Sequence, residues 1–196
     1  METEIEAKWL NINHDEMRTK LKAQGAKLVQ PERLMSRKVF DYEDRRLYKK
    51  GGWVRVRNEV DKITVSYKQL NDRSLHGTKE VTIVVDDFTK ACQLLELIGL
   101  KVRVYQETKR ESWVLDGAEV ELDTWPWIPP FVEIEARDER ALKSVARRLD
   151  LDFDDALHGS IETAYQAVYN VTDEEINSWQ EVIFSEVPHW LLAEKR

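Results

Sequence analysis

The sequence predicts an α+β fold that is mainly β: a closed eight-stranded antiparallel β-barrel with helices packed outside it and a helical C-terminal tail. Three observations lead there. Segments with apolar residues at every second position outnumber helical segments. Each helical pattern interrupts a run of strands instead of alternating with single strands, which favours antiparallel pairing. About eight antiparallel strands of this length suit a closed barrel better than an open sheet.

Residues 2–10 alternate, with Glu4, Glu6 and Lys8 on one face and Ile5, Ala7 and Trp9 on the other. Residues 13–24 read as a helix, with a capping-box pattern at Asn13 and Glu16, a buried stripe at Met17 and Leu21, and a stop at Gly25. Strands follow at about 26–42, 53–60, 62–70 and 77–85, separated by turns at Gly51-Gly52 and around Asp72. Asp86 or Asp87 caps a helix that carries Phe88, Ala91, Leu95 and Ile98 on one side and ends at Gly99. A second run of strands covers about 100–109, 110–115, 118–125 and 131–136, with a hairpin signal at Asp116-Gly117. A basic helix over 138–149 turns Ala141, Leu142, Val145 and Leu149 inward. The tail reads as helices over 160–169 and 172–181, the second opened by a Thr172/Glu175 capping box, and ends on the apolar cluster Phe184, Val187, Trp190, Leu191 and Leu192. Residues 1–170 are expected to form the barrel domain and 171–196 a helical extension packed on it. The proline-rich turn from Trp125 to Pro130 reads as a rigid apolar loop before the last strand.

With 42% apolar and 34% charged residues, the chain has enough apolar material for one core beneath a strongly charged surface. A formal net charge of −7 argues against general nucleic-acid binding, which rests on Lys and Arg. A small polyanion still fits if the basic groups cluster and cations screen the carboxylates. The single cysteine, Cys92, lies in an apolar helical pattern and rules out an intrachain disulfide, compatible with the cytoplasm. No apolar run approaches the ~20 residues needed to cross a bilayer, and the N-terminus lacks the basic and apolar regions of a signal peptide. A membrane partner is therefore not expected, and both monomer and homodimer stay open.

The distribution of charge over strand faces is the most informative feature. Glu4, Glu6 and Lys8 share a face, as do Arg55 and Arg57, then Glu119, Glu121 and Asp123, then Glu133 and Glu135, while Lys68 stands on a strand of its own. The opposite parity is mostly apolar. For any one strand, a solvated charged face explains this equally well. Solvated faces, however, mix residue types, whereas here some strands are purely carboxylate and others purely basic. That segregation fits faces that meet around one ligand: paired carboxylates hold a hard cation, and arginine forks take phosphate. The outer apolar face then needs covering, which the helices supply.

The pentapeptide Glu4-Ile5-Glu6-Ala7-Lys8 resembles the ExExK signature of the CYTH superfamily, the triphosphate tunnel metalloenzymes. The resemblance continues in order through Phe40-Asp41, Gly52-Trp53-Val54-Arg55-Val56-Arg57, Lys68, Lys79-Glu80, Lys109-Arg110 before Trp113, Glu121-Leu122-Asp123 and Phe131-Val132-Glu133-Ile134-Glu135, covering about residues 2–170. It implies a tunnel in which Glu4, Glu6 and Glu135, with Asp123 and Glu133 beside them, bind Mg²⁺ or Mn²⁺. It also implies that Lys8, Arg55, Arg57, Lys68, Lys109 and Arg110 grip a small-molecule triphosphate. Many members carry K-x-R where this chain has adjacent Lys109 and Arg110. On a regular strand those two point to opposite faces, and only a bulge brings both inward. Glu80 resembles an acidic position that orients the basic groups.

The activity implied is metal-dependent hydrolysis of the terminal phosphate of tripolyphosphate or an organic triphosphate, such as thiamine triphosphate or a nucleoside triphosphate. Glu4, Glu6 and Lys8 act at the phosphoryl centre in that reading, and Asp123 or Glu133 positions the water. Two alternatives stand beside it: a class IV-type adenylyl cyclase making cyclic AMP and pyrophosphate, and a non-catalytic polyphosphate- or nucleotide-binding module.

Overall fold

The structure, a computed structural model, describes residues 1–196, the side chain of Glu2 excepted. In chain order the elements are β1 (Glu2–Thr3), β2 (Glu6–Leu10), α1 (His14–Ala23), β3 (Lys27–Tyr42), β4 (Gly52–Asn58), β5 (Ile63–Leu70), β6 (Thr78–Val85), α2 (Phe88–Leu97), β7 (Leu100–Leu115), β8 (Ala118–Thr124), β9 (Phe131–Glu135), α3 (Glu139–Arg148), α4 (Glu162–Val168), α5 (Asp173–Ile176), β10 (Glu181–Val182) and α6 (His189–Leu192). One sheet runs β1-β6-β5-β4-β3-β7-β8-β9-β2, and β10 joins β7 in parallel. All other pairs are antiparallel. Taking β1 and β2 as one interrupted strand gives a curled eight-strand antiparallel sheet.

The sheet is curled, and strand pairing does not by itself close it into the expected barrel at this seam. The hydrogen-bonded path has two ends, because the strand expected over 2–10 is broken at Glu4-Ile5. Thr3 pairs with Lys79 on β6, whereas Glu6 pairs with Glu135 on β9. Between them the Glu4 amide donates to the Thr78 carbonyl at 3.0 Å, and the Ile5 carbonyl accepts from the Ala136 amide at 3.0 Å. The chain thus steps from one edge of the sheet to the other without β6 and β9 pairing directly.

Two further expectations change. The pieces placed at 100–109 and 110–115 are one strand, β7, long enough to serve β3 and β8 at once. The tail is not purely helical: the Thr172/Glu175 capping box is present but opens only one helical turn, α5, and the chain then forms β10.

Helix boundaries follow the capping chemistry. The Asn13 side chain accepts from the amides of Asp15 and Glu16, Asp87 from Lys90, and Asp138 from Ala141. The Asp116-Gly117 turn has both residues at positive φ, 51° and 81°, as the tightest hairpin requires. Gly51 is required for its space as well as its φ of +73°: a Cβ there would stand 2.1 Å from the Leu70 carbonyl oxygen.

Three apolar clusters pack against the curl, the third including the cavity-lining Trp125 and Phe131. α1 and α3 lay Met17, Leu21, Leu142 and Val145 over Trp9, Val120, Val132 and Ile134. Burying a side chain such as Leu142 stabilises the fold by about 1.5–3 kcal/mol. α2 covers Phe40, Val56 and Leu100 with Cys92. α4 and the tail pack Tyr165, Tyr169, Trp179 and Leu191 against Trp125, Ile128 and Phe131. The cover stops short of β6, where Val81 and Ile83 are exposed.

Candidate active site

The curled sheet encloses a cavity of about 830 Å³ whose lining is set by strand alternation. Ten of the eleven side chains singled out from the sequence line it: Glu4, Glu6, Lys8, Arg55, Arg57, Lys68, Arg110, Asp123, Glu133 and Glu135. Lys109 does not. The β7–β8 register runs unbroken through Lys109↔Thr124 and Arg110↔Asp123, so no bulge turns Lys109 inward. Its ammonium lies outside instead, 5.2 Å from the centre of the Phe184 ring.

The charges sort into two walls. On β8, β9 and β2, Glu119, Glu135 and Glu6 stand in one row, and Glu121, Glu133 and Lys8 in the next. Across the cavity, Arg110 of β7 faces Arg33 of β3, and Arg37 of β3 faces Arg57 of β4. Like charges directly opposite on neighbouring strands repel. Ion pairs within and between the walls offset part of that repulsion. Lys8 reaches Glu6 at 2.9 Å and Glu133 at 3.0 Å. Lys68 reaches Glu4 at 2.8 Å and Glu80 at 3.0 Å. Arg110 reaches Asp123 at 2.5 Å and Glu133 at 2.9 Å.

These contacts divide the carboxylates electrostatically. Burial favours the neutral form of Glu133, but Lys8 and Arg110 overcome it and hold the group well below the usual carboxylate range. Burial, a hydrogen bond to Glu80 and the charge on Glu6 push Glu4 up to about 8. Burial, with Glu6 and Glu133 beside it, pushes Glu135 up to about 7. Burial also raises Glu121, whose Oε2 is buried without a hydrogen-bond partner. On the basic wall, burial and the neighbouring Arg57 lower Arg55 to about 10.

Among the described residues, no three carboxylate, imidazole or thiol side chains converge closely enough to hold a metal ion, since most inward carboxylates are turned toward a lysine or arginine. The donor set nevertheless fits a hard cation. It is all oxygen, it includes the orphaned Glu121 Oε2, and burial with neighbouring carboxylates raises Glu4 and Glu135 despite the Lys68 charge, so an added cation would favour their ionised forms.

Sequence reasoning missed several lining residues. Arg33 and Arg37 lie on β3, where charge falls on both parities and a bulge around Pro31-Glu32 shifts the register, so no clean face shows. Glu59 is buried at 3% exposure and holds Arg57 at 2.6 Å. Arg103 reaches the cavity through a register shift on β7 and donates to the Tyr42 carbonyl. Glu80, by contrast, was expected from the resemblance to orient the basic groups; it faces inward and joins Lys68 to Arg55, the latter at 3.4 Å. Asp41 of the Phe40-Asp41 motif is structural: it accepts the amides of Tyr42, Leu47 and Tyr48 and pins the turn before β4.

A curled antiparallel sheet around a cavity of opposed acidic and basic walls defines the class of protein. The chain belongs to the CYTH family, whose domain model matches residues 2–160. No curated protein matches it. Among solved structures, PH1012 from Pyrococcus horikoshii OT3 is 25% identical, with 78% of this chain and 93% of that one covered and a TM-score of 0.65. A candidate adenylate cyclase from Vibrio parahaemolyticus is 19% identical, with 84% and 98% covered and a TM-score of 0.71. HpAC1 from Hippeastrum, a candidate adenylyl cyclase described as having a dominant triphosphatase activity, is 14% identical, with 89% and 94% covered and a TM-score of 0.58. Among the described residues, no helix is long and apolar enough to cross a membrane.

Proposed function

We propose that this protein is a divalent-cation-dependent triphosphatase that releases the terminal phosphate of tripolyphosphate or of an organic triphosphate such as thiamine triphosphate or a nucleoside triphosphate. The observation that carries this reading is the opposition of two like-charged ladders across one cavity. Each ladder is repulsive alone, and a cation-chelated polyphosphate presents to each the sign it lacks.

Mg²⁺ or Mn²⁺, when bound, supplies charge neutralisation at the phosphate oxygens. Glu4, Glu6 and Glu135 are the residues that would hold it, with Asp123 and Glu133 beside them. Lys8, Arg55, Arg57, Lys68 and Arg110 bind the phosphate oxygens, the arginines through two-pronged contacts. Lys8 is suited to this because Glu133 and Glu6 keep it charged despite its burial. Glu133, held ionised by Lys8 and Arg110, is a weak base but a firm hydrogen-bond acceptor, so its role is to orient the attacking water. Catalysis of this kind is positioning and electrostatics and needs no side-chain nucleophile. With one cysteine and no disulfide, the chain suits the reducing cytoplasm.

The likeness to the Vibrio and Hippeastrum proteins, both candidate adenylyl cyclases, favours a second reading, adenylyl cyclase, with the ribose 3′-hydroxyl attacking the α-phosphate. One experiment separates the two. The protein is incubated with Mg²⁺ or Mn²⁺ and, separately, tripolyphosphate, thiamine triphosphate, ATP and GTP, and both free phosphate and cyclic nucleotide are measured. Phosphate release without cyclic product is expected. Cyclic AMP with pyrophosphate would replace the hydrolase with the cyclase, and tight binding with neither product would leave a binding module.

A further inference from the structure

Three cationic side chains among the described residues are buried: Lys8, Arg55 and Arg37. Lys8 has Glu6 and Glu133 within ion-pair distance, and Arg55 has Glu80. Arg37, at 8% exposure, has no carboxylate within that distance. Its Nε donates to Gln106 Oε1 at 2.9 Å, its guanidinium carbon lies 4.0 Å from the centre of the Trp125 ring, and its Nη2 is buried with no hydrogen-bond partner. It stands directly opposite Arg57 in the β3–β4 register and lines the cavity. A buried charge without a counter-ion is strongly unfavourable, and a guanidinium does not escape it by losing its proton. Gln106 and Trp125 hold the group in place without neutralising it.

We propose that Arg37 is a further ligand-binding residue of the cavity, and that the counter-ion it lacks is a phosphate group of the bound polyanion, shared with Arg57. The assignment rests on the triphosphate reading above and adds to it a fixed cation that raises the negative charge the cavity selects for. It carries a signature that a structural arginine would not show. Removing the charge leaves the ligand-free protein as stable as before or more so, while binding weakens.

The test uses the full chain and two variants, Arg37→Met and Gln106→Glu, the second supplying a carboxylate at hydrogen-bond distance from Arg37. Thermal unfolding is followed with and without tripolyphosphate and Mg²⁺, and KM and kcat are measured for tripolyphosphate. Both variants are expected to keep or raise the ligand-free Tm, to lose most of the tripolyphosphate-induced rise, and to weaken binding by roughly ten- to a hundredfold, as losing a charge-assisted contact does. A wild-type protein that tripolyphosphate does not stabilise would sink the triphosphate reading itself. A wild-type response that Arg37→Met or Gln106→Glu reproduces in full would overturn the assignment of Arg37 alone. So would a lowered ligand-free Tm in Gln106→Glu, and that variant decides the matter if Arg37→Met does not fold.

Discussion

At the scale of single residues, the site divides into groups that are satisfied without a ligand and groups that are not. Glu4 and Glu6 belong to the proposed cation site, and their amides would keep shape while losing charge. Glu4→Gln and Glu6→Gln are expected to cut phosphate release at least about a hundredfold with the far-UV circular dichroism and Tm preserved; full metal-dependent turnover in either would remove these residues from the site. Arg57→Ala is expected to raise KM for tripolyphosphate roughly tenfold or more. Its partner Glu59 is then left buried without that arginine, so a lower Tm should accompany the loss. Arg55, Arg57 and the inward carboxylates of β8 and β9 were legible because each of those strand faces carries one sign of charge, whereas Lys8, Lys68 and Arg110 were legible through the ordered resemblance. Arg33, Arg37 and Glu59 were not, because their neighbours carry charge on both parities. Of the adjacent pair, Lys109 would have needed a bulge to reach the cavity, and the unbroken β7–β8 register leaves Arg110 alone inward.

At the scale of elements, the sequence signals that survived are those with a local mechanism. The caps at Asn13, Asp87 and Thr172 and the Asp116-Gly117 turn are written into a few consecutive residues, and each is present. Asn13→Ala is expected to cost about 1 kcal/mol in chemical denaturation. Gly51→Ala is expected to cost more, since it strains a left-handed backbone and meets the Leu70 carbonyl; a loss no larger than that of Asn13→Ala would show that the turn can move. The features that were not legible depend on partners distant in the chain. Nothing within residues 2–10 announces that β6 holds the first half and β9 the second. Nothing near Glu181 announces that Tyr105, far upstream, pairs with it in parallel and ends the helical reading of the tail.

At the scale of the whole molecule, the cavity makes stability depend on pH and on its ligands. Glu4 and Glu135 titrate near 8 and 7 in the folded chain, above the ordinary 4.5. Between about 4.5 and 8 the folded chain keeps protons that the unfolded chain releases, so these groups make stability fall as pH rises through that window. Unfolding curves over that range should show this decline without divalent cation and a flatter profile with Mg²⁺; a decline that Mg²⁺ leaves unaltered would place the cation elsewhere. The tail belongs to the same cooperative unit, since Trp179 is packed among Tyr165, Trp127 and Trp190. Trp179→Ala should therefore lower global stability by about 3–5 kcal/mol and should not fray the C-terminus alone. The interrupted first strand has a consequence in time. Residues 2–3 find their partners at positions 79–80 and residues 6–10 at positions 131–135, so both halves close long loops of chain. Contacts that distant in sequence form slowly, so seating this segment on both edges of the sheet is expected to slow the closing of the curl.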